Sequence, residues 1–88
     1  MINKEYRITN ENGIHARPAG RIVQAARKYS ARITILMPET GKQADAAKLF
    51  EVMGLGAKKG DIISLTADGE DEAEAMEALL AVLREAGL

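Results

Sequence analysis

The feature that most restricts how this chain can fold is a glycine followed five residues later by a proline. Gly13 permits a tight turn, because glycine adopts positive φ without a steric penalty. Pro18 fits only the first turn of a helix, where the missing N–H has no intrahelical partner to lose. The spacing therefore predicts that a helix begins near Ala16, with His15 at its N-cap.

His15 is the only histidine in the chain, and it lies where this helix start can bind an anion. Helix N-termini carry unpaired N–H groups and the positive end of the helix dipole, which together favour phosphate. Arg17 adds a planar guanidinium that suits phosphate oxygens. A lone histidine at a helix start is more often a polar cap or a solvated side chain than a nucleophile. The glycine, the proline and the arginine together favour a nucleophilic imidazole beside a phosphate site.

Hydrophobic periodicity predicts seven elements in the order β-α-β-β-α-β-α. The predicted strands are 2–9, 31–37, 42 to 44 or 45, and 62–67, and the predicted helices are about 16–29, 47–54 and 71–86. The turn before the first helix is 10–13. The last helix is expected to bury a stripe formed by Ala73, Met76, Leu79, Leu80 and Leu83. Interleaved strands and helices with one hairpin fit a two-layer α+β fold, expected here as one domain over residues 1–88.

Composition excludes several kinds of site. Without cysteine the chain has neither disulfides nor thiolate metal ligands, and one histidine cannot form a multi-histidine metal centre. We therefore expect no metal and no cofactor. The start of the chain lacks the apolar run of a signal peptide, and no stretch is long enough to span a bilayer, which favours a cytoplasmic protein.

The formal net charge of −1 conceals a segregation of charges along the chain. Five basic residues and no acidic ones lie between His15 and Arg32, whereas six acidic residues and no basic ones lie between Asp68 and Glu77. This pattern suits an acidic protein partner better than a nucleic acid, because domains that bind nucleic acid are usually basic overall. The alternative is that these charges form solvated faces that only aid solubility.

The segment Gly13-Ile14-His15-Ala16-Arg17-Pro18-Ala19 resembles the active-site motif of the HPr family, the histidine-containing phosphocarriers of the bacterial phosphotransferase system. The resemblance covers nearly the whole chain. It includes Leu55-Gly56-Ala57-Lys58-Lys59-Gly60-Asp61 and Gly69-Glu70-Asp71-Glu72. It implies an open-faced β-sandwich in which a four-stranded antiparallel sheet carries three helices on one face.

The resemblance also implies the chemistry of the site. His15 would accept a phosphoryl group on Nδ1 from Enzyme I and pass it to the IIA domain of a sugar permease, as a carrier and not an enzyme. Arg17 would steady the charge during transfer, and the N–H groups around Ala16 and Arg17 would bind the phosphoryl oxygens. Asn12 matches the family's polar turn position and is expected to shape or cap the loop near the phosphate, or else to be a plain turn residue.

A surface for docking with partner proteins is expected on the short second helix. On periodicity alone Leu49, Phe50 and Met53 would be core residues. The resemblance implies instead that they form an exposed apolar patch beside His15, with Val52 and Leu55 pointing inward. Gly20 and Arg17 would complete the docking surface, and Arg21, Lys48 and Lys58 are expected at its rim as charges that steer acidic partners. The protein is expected to be a monomer, because transient docking needs this face free.

One residue departs from the family pattern. Many HPr proteins carry a regulatory serine at the start of the short helix, where this chain has Lys48. Lysine cannot be phosphorylated in the same way, so serine-linked regulation is expected to be absent. Two alternatives stay open: a paralogue serving nitrogen regulation or dihydroxyacetone phosphorylation, and an interaction module that no longer carries phosphate. A hydrolase is disfavoured, because no carboxylate pair, cysteine or second histidine accompanies His15.

Overall fold

The chain forms a four-stranded antiparallel sheet with three helices packed against one face. The computed structural model describes residues 1–88. The strands are β1 (Ile2–Arg7), β2 (Arg32–Leu36), β3 (Gln43–Asp45) and β4 (Ile62–Asp68), and the helices are α1 (Ala16–Ala26), α2 (Leu49–Met53) and α3 (Glu72–Glu85). The predicted element order and the open-faced α+β sandwich are confirmed.

The strands lie in the order β1-β4-β2-β3 and every neighbouring pair is antiparallel. The register places Tyr6 opposite Ile63, and Ile35 between Leu65 on β4 and Ala44 on β3. Ile63, Leu65, Ile35 and Ala44 are all buried. Because strand side chains alternate, this face lies under the helices while the opposite, more polar face is left to solvent.

The core is aliphatic, as the scarcity of aromatic residues requires. Its largest fully buried side chains are Ile8, Ile22, Ile35, Val52, Ile63, Leu65, Leu79, Leu83 and Leu88. Burial of each such side chain stabilises the fold by about 1.5–3 kcal/mol. These contacts hold the helices on the sheet and fix the positions of the helix ends described below.

The buried stripe of α3 differs from its prediction at one position. Ala73 is exposed, and Ala75 is buried in its place. The buried face follows the four-residue spacing of Ala75, Leu79 and Leu83, with Met76 beside it. The helix is therefore rotated slightly from the predicted orientation, and Leu80 is only half-buried.

The first two helices are shorter than predicted. α1 ends at Ala26, because the Lys28 N–H bonds to the Ala25 carbonyl oxygen three residues back (3.2 Å), which tightens the chain into a turn. α2 begins at Leu49, because Lys48 has an extended backbone with φ −118° and ψ 110°. Strand β1 is shorter as well, and ends at residue 7.

Candidate functional site

The turn before α1 is closed by Asn10. Its carbonyl oxygen accepts the Gly13 N–H at 3.0 Å, and its Oδ1 accepts the Asn12 N–H at 3.1 Å. The Asn12 side chain is exposed and forms no hydrogen bond in the loop. The loop-capping role expected of Asn12 therefore belongs to Asn10, whereas the role of Asn12 toward phosphate stays a prediction. An asparagine that bonds the N–H two residues on is a common turn pattern and could have identified Asn10.

Gly13 is required where it stands. Its φ is +63°, and a Cβ at this position would lie only 2.0 Å from the Ala57 carbonyl oxygen. The same oxygen accepts the Ile14 N–H at 3.1 Å. The segment that follows α2 is therefore seated directly against the residues that precede His15.

The first turn of α1 leaves two backbone donors free beside the imidazole. His15 is the N-cap, with φ −106° and ψ −172°, and its exposed side chain caps no N–H group. The Ala19 N–H donates to the His15 carbonyl oxygen at 3.0 Å. The N–H groups of Ala16 and Arg17 have no protein acceptor, and Pro18 has no N–H to offer. Such a helix start is an anion-binding arrangement.

A shallow cavity of about 130 Å³ opens at this helix start. It is lined by His15, Arg17, Pro18, Arg21 and Ala86. Arg17 and Arg21 are one helical turn apart and share a face of α1. Ala86 comes from the end of α3, which packs against α1. The cavity therefore combines the imidazole with two arginines and the end of a distant helix.

The end of α3 contributes a negative charge to the cavity edge that no sequence pattern indicates. Glu85 Oε1 lies 3.9 Å from Arg21 Nη2, and both side chains are open to solvent. The chain beyond α3 is fixed, because the buried Leu88 donates its N–H to the Leu83 carbonyl oxygen at 2.9 Å. No periodicity relates Glu85 to Arg21, and only the packing of α3 on α1 brings them together.

The short helix α2 presents an apolar surface. Phe50 is 85% exposed and Met53 is 37% exposed. Val52 and Leu55 are buried, as expected. Leu49 differs from its prediction, because it is half-buried and packs against the core. Phe50 therefore provides most of the free apolar surface.

Two hydrogen bonds set the direction of α2 relative to α1. Arg27 Nε, just past the end of α1, donates to the Ala47 carbonyl oxygen at 3.0 Å. The Ile14–Ala57 bond joins the segment after α2 to the residues before α1. The two helices therefore run in opposite directions. Lys48, at the start of α2, lies toward the end of α1 that is farther from His15.

The other residues expected in the docking surface also lie at the protein surface. A Cβ added at the half-buried Gly20 would meet nothing within 4 Å, so α1 is open at this point. Arg21 and Lys58 are exposed. Lys48 is exposed too, and its Nζ lies 3.7 Å from Glu51 Oε2 within a surface ion pair.

The largest cavity, about 430 Å³, lies where β2, β3 and α2 meet. Its lining residues are Arg32, Thr34, Gln43, Ala44, Asp45, Lys48 and Glu51. His15 does not line this cavity, and its lining carries both basic and acidic side chains. No group of three or more histidine, cysteine, aspartate or glutamate side chains is arranged to hold a metal ion. No helix has the length and apolarity needed to cross a membrane.

Comparison with known proteins finds relatives with similar sequences and a similar fold. The family described as PTS-HPr, "PTS HPr component phosphorylation site", matches residues 2–85. Proteins named Phosphocarrier protein HPr from Haemophilus influenzae and Vibrio cholerae are each 40% identical over 83 residues, which covers 94% of this chain and 95% of theirs. A histidine-containing phosphocarrier protein from Mycoplasma has a solved structure that superimposes with a TM-score of 0.94 at 33% identity, over 99% of this chain and 97% of that one.

Proposed function

This chain belongs to the PTS HPr family of phosphocarriers, and on that premise we propose that His15 accepts a phosphoryl group from Enzyme I and donates it to IIA domains of sugar permeases. The observation that carries the proposal is the open start of α1. Two backbone donors without a protein acceptor lie beside an exposed imidazole. The site thus offers a nucleophile and a place for the charge that the nucleophile acquires.

Transfer to His15 needs little from the protein beyond position and charge. Near neutral pH imidazole offers an unprotonated nitrogen as a nucleophile. The Nδ1 lone pair forms the bond to phosphorus while the bond from phosphorus to the donor breaks, and onward transfer is the reverse. The N–H groups of Ala16 and Arg17 and the Arg17 guanidinium stabilise the phosphoryl oxygens. The dipole of α1 stabilises the bound phosphoryl group by roughly 0.3–1 kcal/mol at such an exposed site. This stabilisation is weak enough to allow release of the group to the next protein.

The size of the cavity supports a carrier that works against other proteins. At about 130 Å³ it is smaller than the roughly 300–1,000 Å³ of pockets that enclose small molecules. A partner's active site must therefore close over the exposed His15. We propose that the protein acts as a monomer without a cofactor, and that it is a carrier and not a catalyst.

The surface that meets the partners is proposed to run from His15 along α1 and α2. Phe50 supplies an exposed aromatic anchor, and Met53 an adaptable apolar contact. Gly20 leaves room for a close approach, and the neighbouring basic residues attract acidic partners. Leu49 contributes only the half of its surface that the core leaves free.

The decisive experiment is phosphorylation of the purified protein by phosphoenolpyruvate and Enzyme I, followed by mass spectrometry. We expect a gain of one phosphoryl group that acid removes and that the His15→Ala variant does not acquire. The Enzyme I preparation is first shown to phosphorylate another HPr. If that preparation leaves this protein unmodified, the proposed function is wrong. Isolated IIA domains are then tested as acceptors.

Lys48 gives a second test of the docking proposal. The chain has two serines, Ser30 after α1 and Ser64 within β4, and neither lies on α2. We therefore propose that serine-linked regulation is absent. The cation should instead favour acidic Enzyme I. We expect Lys48→Glu to lower the efficiency of phosphoryl transfer from Enzyme I roughly two- to fivefold at low salt. Lys4→Glu, on the opposite edge of the sheet, is the matched control. Equal rates for both variants would contradict this role.

A further inference from the structure

The His15 cavity contains a second arginine whose charge is already paired. Arg21 lines the cavity with His15 and Arg17, and its Nη2 lies 3.9 Å from Glu85 Oε1. Both members of the pair are open to solvent, with 46% and 65% of their side-chain surface exposed. Exposed ion pairs of this kind are weak and readily exchanged.

We propose that Arg21 is a second phosphate-binding residue and that Glu85 occupies it while the site is empty. The inference rests on the proposed function, because it assumes that His15 carries the phosphoryl group. When the group is on His15, the Arg21 guanidinium leaves Glu85 and donates hydrogen bonds to the phosphoryl oxygens. No covalent bond changes in this exchange. Glu85 acts through Arg21 and is a positioning residue.

The geometry favours this exchange for two reasons. Arg17 and Arg21 lie one turn apart on the same face of α1, so both can reach an anion at the start of the helix. A phosphoryl group carries more negative charge than a single carboxylate and offers three acceptor oxygens, so it competes well for a guanidinium. Glu85 stands on a fixed helix end, and its carboxylate stays nearby to recapture Arg21 after transfer.

The test uses inorganic phosphate as the probe and the unphosphorylated protein, so it does not depend on Enzyme I. Phosphate binding is followed by the NMR signals of the His15 imidazole and of the Arg21 Nε–H. Four variants are compared with the wild type: R21Q, E85Q, the double variant and K28Q. K28Q removes the same charge just beyond the far end of α1 and is the matched control. The substituted side chains are exposed, so all variants are expected to fold.

We expect R21Q to weaken phosphate binding roughly tenfold, since a hydrogen-bonded guanidinium is lost. E85Q should tighten binding about threefold, because Arg21 is released from its competitor. The double variant should bind like R21Q, because Glu85 then has no arginine to occupy. K28Q should bind like the wild type. On phosphorylation of His15 by phosphoramidate, the Arg21 Nε–H signal should shift.

Several outcomes overturn the proposal. These are equal effects of R21Q and K28Q, an E85Q effect that persists in the double variant, and an Arg21 signal that phosphorylation of His15 does not move. Absence of phosphate binding in every variant would overturn it as well. Failure of Enzyme I to phosphorylate the wild type, with the expected phosphate results intact, would instead reject the proposed function and leave the Arg21 site standing.

Discussion

Helices α1 and α3 begin in the same way but treat negative charge differently. Each follows a glycine whose missing Cβ makes room for the backbone of another segment. A Cβ on Gly13 would lie 2.0 Å from the Ala57 carbonyl oxygen, and one on Gly69 would lie 2.6 Å from the Ala31 Cα. Both helix starts are thus fixed by tertiary contacts, which tie a local turn to a distant part of the chain.

The two helix starts differ in the source of the negative charge near them. At the start of α3, the Asp71 carboxylate accepts the N–H groups of Ser30 and Ala31 at 2.9 and 2.7 Å, and Glu72 accepts the Gly69 N–H at 3.2 Å. The first turn of α1 contains no acidic residue and carries Arg17 instead. Helix N-termini favour negative charge. The chain provides it internally at α3 and leaves it out at α1, where an external anion can bind.

The largest effect should come from breaking the shared feature. Gly13→Ala and Gly69→Ala should each lower the free energy of unfolding by at least about 2 kcal/mol, because positive φ and backbone overlap both oppose a Cβ. Urea denaturation measures the change. Gly20→Ala is the control, since it lies in α1 with open space around it and should stabilise the protein by about 0.5–1 kcal/mol. Similar results for all three substitutions would contradict this explanation.

A smaller effect, which depends on pH, should follow from removing the internal anion. The N–H of Ser30, and then that of Ala31, lowers the pKa of Asp71 below its ordinary value of 3.8. The carboxylate therefore stabilises the fold above that value, and the contribution is lost as pH falls through the lower folded-state pKa. We expect Asp71→Asn to be less stable than the wild type at neutral pH.

The difference between Asp71→Asn and the wild type should shrink in acid. Urea midpoints measured from neutral pH down to about pH 2 should converge as the wild-type carboxylate becomes protonated. A difference that stays constant over this range would show that the side chain stabilises the fold by shape alone. Glu77→Gln, an exposed carboxylate further along α3, is the matched control.

The smallest effect should come from supplying α1 with its missing anion. His15 already has the extended backbone of an N-cap but caps nothing. His15→Asp should therefore raise the free energy of unfolding by about 0.5–1 kcal/mol, while phosphoryl acceptance is abolished. His15→Ala should abolish acceptance without this gain. Equal stability of the two variants, measured by urea denaturation, would argue against an unfilled cap at this helix.

Sequence reasoning succeeded where the determinant was local. The start of α1 at Ala16 follows from the chemistry of the turn before it. The inward positions of Val52 and Leu55 were implied by the family resemblance, whereas periodicity alone would have buried the exposed Phe50. Sequence reasoning failed where packing decides. The half-burial of Leu49 depends on contacts with other elements, and the approach of Glu85 to Arg21 depends on how α3 sits on α1.

The hydrogen bond from Ile14 to Ala57 has a kinetic consequence. Ile14 is buried and its amide proton is held by the segment that follows α2. That proton can exchange with solvent only when this segment separates from the loop before His15. The loop and the segment after α2 should therefore open together. A partner protein that binds α2 should therefore slow amide exchange at Ile14, next to His15, even if the partner does not contact Ile14.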